Sequence, residues 1–149
     1  MKSPQTSPMK SYRDLTKEEL RELLVSNWMT HDALWLAHTA KQFGMEATNT
    51  ININAVKAMA KTEARRIKKT LAAENPKNFA ELKSFILNGF EIIRADFMSF
   101  HLEFREPDTI LWHVPECFAY EGTKRMGLIN QYHCGIKYRL TSWLDELGV

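Results

Sequence analysis

Met98-Ser99-Phe100-His101-Leu102-Glu103-Phe104 is the stretch on which the fold class turns. Apolar side chains stand at 98, 100, 102 and 104 with polar ones between them, the two-residue period of a half-buried strand. Glu106-Pro107-Asp108 reads as a turn. Ile110, Trp112 and Val114 then alternate with Leu111 and His113, which predicts a second strand. The pair forms an antiparallel hairpin near residues 97–114. A two-stranded hairpin is unstable alone, so it must pack against other elements.

On both sides of the hairpin the apolar period is helical. Upstream, Thr16 and Glu19 make a capping-box pattern ahead of a leucine-rich run. The first helix is expected over residues 17–43, with Gly44 as its stop. At 1.5 Å per residue it would be ~40 Å long, so a bend or break is expected. A second helix follows over residues 46–73, where Ile53, Val56, Ala60, Ile67 and Leu71 recur at helical spacing and Glu63 or Ala64 fills the gap. Thr50-Ile51-Asn52-Ile53-Asn54 alternates and leaves a strand open as the alternative there. After Asn75-Pro76, Asn78 opens a third helix whose apolar face is Phe79, Leu82, Phe85, Ile86 and Phe90, weakened by Gly89. Downstream, Pro115 is expected to open a short helix over residues 116–126, closed by Gly127. The last helix is expected over residues 136–147, burying Ile136, Leu140, Trp143 and Leu144, with Gly148 ending it. The fold class is therefore α+β: a mainly helical bundle of four to five helices with one antiparallel hairpin.

The 149 residues suit one domain, expected over 16–149, behind a disordered tail at 1–15 rich in Ser, Pro, Thr and Lys. No apolar run reaches the eighteen residues of a membrane span, and the first fifteen residues do not read as a secretory signal, so the expected compartment is the cytoplasm. There, the two cysteines are thiols rather than a disulfide. A net charge of +2 is too small to argue for a nucleic-acid or membrane partner, so no membrane is expected and nucleic acid is not the favoured partner. The one basic row, Lys57, Lys61, Arg65 and Lys69, carries no interleaved aromatic residue and reads as a solvated face.

Three constellations carry candidate chemistry. On the first helix Leu24, Trp28, His31, Trp35 and His38 follow steps of four, three, four and three, the seam of a helix. The functional reading is a polar pocket with His31 as base or ligand, Asp32 beside it, and Trp28, Trp35 and His38 lining it. The alternative is a pair of core histidines bonded to backbone carbonyls. In the C-terminal third, His113, Cys117, His133 and Cys134 are residue types that hold a divalent metal such as zinc. Cys117, at the start of a helix, is also a candidate nucleophile, with a buried structural thiol as the alternative. On the second helix, Asn49, Asn52 and Glu63 are polar on or near the inner side. Glu63 interrupts an apolar stripe; buried, it needs a partner, His31 or His38 across the bundle, and the alternatives are an interior ion pair or an edge position.

Asn27-Trp28-Met29-Thr30-His31-Asp32-x-x-Trp35, Trp112-x-Val114-x-x-Cys117, Tyr132-x-Cys134-Gly135 and Trp143-Leu144-x-x-Leu147-Gly148 carry a resemblance. With these motifs the chain resembles a bacterial and archaeal family of small cytosolic proteins of unknown function, near the L-2-amino-thiazoline-4-carboxylic acid hydrolase-like group. The resemblance implies opening of a carbon–nitrogen bond in a small ring, with a divalent metal as a candidate cofactor. It points to Trp28, His31, Asp32, Trp35, Cys117 and Cys134. Two functional classes follow: a small-molecule- or metal-binding protein of hydrolase type, and a non-enzymatic homodimeric interaction or sensory module that exposes an apolar helix or hairpin face.

Overall fold

The computed structural model describes residues 9–149. The expected tail therefore lies partly outside the described residues, and within it Tyr12–Asp14 form a 3-10 turn. Among the described residues there are four α-helices and one two-stranded antiparallel sheet, the expected α+β class. The helices are α1 (Lys17–Thr70), α2 (Phe79–Ile93), α3 (Phe118–Arg125) and α4 (Ile136–Leu147), and the strands are β1 (Ser99–Arg105) and β2 (Thr109–Glu116).

Thr16 caps α1, accepting from the Glu19 amide at 3.1 Å while the Glu19 carboxylate accepts from the Thr16 amide at 2.8 Å. Gly44 breaks α1 with φ 79° and ψ 165°, a conformation that only glycine adopts freely. The break divides α1 into two arms, residues 17–43 and 45–70, at the position the sequence marks as a helix stop. Thr50 to Asn54 are helical: their alternation spans too few residues to outweigh the helical stripe that follows.

The core gathers Ala60, Ala64 and Ile67 of α1, Leu82, Phe85, Ile86 and Phe90 of α2, and Trp143 and Leu147 of α4. Asn78 caps α2 by accepting from the Glu81 amide at 2.9 Å. Phe90 is the pivot of the packing. Its ring lies 5.4 Å from that of Trp143 on one side, and 5.3 and 5.4 Å from Phe100 and Trp112 of the hairpin on the other. The hairpin therefore covers α2, as its instability alone requires. Gly89 belongs to this contact rather than to a weak helix end: a Cβ there would lie 3.1 Å from the Trp143 ring.

Three expectations need correction. Pro115 does not open a helix. β2 continues through it to Glu116, and Cys117 takes the N-cap position of α3. Both strands of a two-stranded sheet are edges, where proline is tolerated. Ile136 is exposed, and Leu147 replaces it on the buried face of α4. Most consequentially, the first-helix seam is not buried. Leu24, His31, Trp35 and His38 are exposed, and the first arm buries Val25, Leu36 and Thr39 instead. That inner side is fixed to the end of α2, where Arg21 Nη1 donates to the Glu91 carbonyl at 2.7 Å and the Asp96 amide donates to Glu22 at 2.8 Å.

Candidate functional site

The site is assembled where the connector between α3 and α4 lies on the second arm of α1, close to the first arm. Asn49, buried on α1, clamps that connector. Its Nδ2 donates to the Gln131 carbonyl at 2.7 Å and its Oδ1 accepts from the His133 amide at 3.0 Å. Gly135 lets the chain lie flat on α1, because a Cβ there would lie 3.1 Å from Val56. Between these anchors stand Tyr132 and Cys134.

Glu63 finds its partner on α4. Arg139 donates twice to it, Nε to Oε2 at 2.9 Å and Nη2 to Oε1 at 2.6 Å, and Trp143 Nε1 donates to Oε2 at 2.9 Å. The interior ion pair is thus the one formed, and pairing of Glu63 with His31 or His38 is not. The outer face of the Arg139 guanidinium lies 5.3 Å from the Trp28 ring, a cation–π contact that ties the first arm to this pair.

Asp32 sits beside this relay. Burial raises its carboxyl above the usual range, while the positive charges of His31 and Arg139 pull it back. The His31 Nδ1 is 3.9 Å from the Asp32 carboxylate, with both side chains largely exposed. The Tyr132 phenol is pushed up to about 12 by burial first, then by the negative charges of Cys134, Cys117 and Asp32, with a backbone hydrogen bond at Gly135 opposing. Cys117 is half-buried, and its Sγ accepts from the Tyr120 amide at 3.4 Å as the cap of α3. Cys134 is exposed.

Trp28 is thus joined to Glu63 through Arg139 and His31 stands beside Asp32, while Cys117 caps α3 and Cys134 is exposed on the connector. Trp35 and His38 face outward. The four-ligand metal set is not assembled: among the described residues no three His, Cys, Asp or Glu side chains converge to hold a metal ion. The causes are local. His113 stands on the solvent face of the hairpin, stacked 4.5 Å from His101 and 3.3 Å from the Glu103 carboxylate. Cys117 is held at its helix cap, and His133 contributes its backbone to Asn49 while its side chain stays exposed.

The sequence reading missed Tyr132 and Arg139. Tyr132 lies in the Tyr132-x-Cys134-Gly135 motif. Arg139 lies one turn before Trp143, so the cation that an interior Glu63 requires was on the matching face of α4. Two open grooves lie elsewhere. One of about 420 Å³ includes Pro76, Lys77 and Phe85, and one of about 520 Å³ between α1 and α4 includes Lys57, Lys61, Tyr138 and Asp145. No helix among the described residues is long and apolar enough to cross a membrane.

No curated protein and no solved structure matches the chain. Nothing in the comparisons links it to the thiazoline carboxylic acid hydrolase-like group. One family model matches residues 13–138, a span that holds the Glu63 carboxylate, the Asn49 clamp, Asp32, Tyr132 and both cysteines. The chain belongs to the family of unknown function DUF6125.

Proposed function

We propose that the protein binds a small molecule on the patch formed by Trp28, Asp32, Cys117, Tyr132 and Cys134. The observation that carries this reading is the meeting of the first arm with α4, where the Trp28 ring lies 5.3 Å from the Arg139 guanidinium that Glu63 holds, close to the His31 and Asp32 pair. A carboxylate with no full-strength partner, its His31 neighbour standing 3.9 Å away, gains from a cationic or hydrogen-bond-donating group. A phenol that stays neutral to high pH offers a donor beside it. The ligand class that fits is a small amine or amidine with an acceptor atom within reach of Tyr132. Turnover of a carbon–nitrogen bond would draw on His31 as base, since it is the imidazole next to Asp32.

The test is a nuclear magnetic resonance titration of the full chain with small amines and amidines, beside Asp32→Asn and Tyr132→Phe. Expected are shifts at the Trp28 indole and the Cys134 and Gly135 amides, lost in Asp32→Asn. Shifts confined to the groove beside Lys57 and Lys61, or indifferent to Asp32→Asn, would overturn the proposal.

A further inference from the structure

From the outward stripe of the first α1 arm we infer that the protein pairs with a second copy of itself, arm against arm and antiparallel. Leu20, Leu24, Asn27, His31, Leu34 and His38 follow steps of four and three, the spacing by which one helix packs along another. Leu23 and Trp35 flank this row. It lies opposite Val25, Leu36 and Thr39, which the arm already buries, so the arm is apolar on two sides and covered on one. A helix apolar on both sides is normally enclosed on both.

The exposures are large. Leu24 is 65% exposed, Leu34 54%, Leu23 53% and Trp35 48%. These four side chains present on the order of 400 Å² of apolar surface in one stripe, the size of patch that marks an interaction site. The occupant is chosen by symmetry. With the twofold axis at the level of Met29, Leu24 of one copy faces Leu34 of the other, Asn27 faces His31 and Leu20 faces His38, while Leu23 and Trp35 close the two opposite edges of the contact. The stripe is thus complementary to itself in reverse, as an isologous contact demands. Two such stripes bury on the order of 800 Å² of apolar area, about half of a standard stable interface before the polar rim is added. The dimer is accordingly expected to dissociate at roughly micromolar concentration.

The experiment is sedimentation equilibrium of the full chain from about 1 to 200 µM, spanning that range, with Leu24→Lys/Leu34→Lys and Trp35→Gln as variants. Circular dichroism controls for folding, which exposed substitutions leave intact. The expected result is a concentration-dependent dimer of the natural chain, weakened roughly 100-fold in the double variant and measurably in Trp35→Gln. A natural chain that stays monomeric throughout overturns the inference and hands the stripe to a different partner. A dimer that persists unchanged in both variants places the contact elsewhere and overturns it equally.

Discussion

Replacing Glu63 with alanine removes the acceptor of three hydrogen bonds at once, two from Arg139 and one from Trp143. The Glu63 and Arg139 side chains are only 11% and 16% exposed, so water cannot fully replace the lost partner. Breaking such a buried pair from one side costs about 3–5 kcal/mol, because the remaining charge stays desolvated. That is a large share of the 5–15 kcal/mol by which a domain is typically stable. Glu63→Gln keeps one acceptor oxygen and nearly the same shape, so its cost is expected near 2 kcal/mol, the worth of a charge-assisted bond. The double variant Glu63→Leu/Arg139→Met removes both charges and should lose less than Glu63→Ala alone. Urea unfolding followed by tryptophan fluorescence reads all three, and Trp143 reports the site directly. A Glu63→Ala loss below about 1 kcal/mol, the scale of an exposed pair, would refute the reasoning. So would a double variant less stable than the single one.

Gly89→Ala sets helix propensity, worth about 1 kcal/mol in favour of alanine, against a Cβ placed 3.1 and 3.2 Å from two atoms of the Trp143 ring. That ring is held by its bond to Glu63 and its stack on Phe90, so it cannot yield, and thermal unfolding should show a net loss of about 1–2 kcal/mol; a gain in stability would mean the ring moves freely. Tyr132, pushed up to about 12 from an ordinary 10.0, keeps its proton in the fold at a pH where the unfolded chain has lost it. The folded state then binds more protons than the unfolded one, so stability should fall as pH rises from about 10 towards 12. Tyr132→Phe should flatten that decline, and an unchanged slope in the variant would assign it to another group.

The elements themselves were legible wherever a local signal sufficed. Thr16, Asn78, Gly44 and Gly148 mark ends by caps and by backbone freedom, and the alternation at 98–104 reveals β1 without any tertiary knowledge. What local spacing could not give was the choice between two apolar faces of one helix. The four-three row through Leu24 and His31 is the better seam by pattern, yet the body packs on Val25, Leu36 and Thr39, since the adjoining end of α2 decides that. The candidate site divides in the same way. Asp32, Cys117 and Cys134 could be named from residue type and motif. Tyr132 and Arg139 acquire their roles only from neighbours distant in sequence, as Arg139 does from Glu63, 76 residues away. The zinc set failed because residue type cannot say where a side chain points.

That same separation matters on the ribosome. Chains grow at about 5–20 residues per second, so Arg139 emerges roughly 4–15 s after Glu63. Throughout that interval α4 is incomplete, and for its first part α2 is too, so Ala60, Ala64 and Ile67 lack their full cover. A charge whose partners lie so far downstream thus stays unpaired through most of synthesis, and its pairing waits on the C-terminal helix.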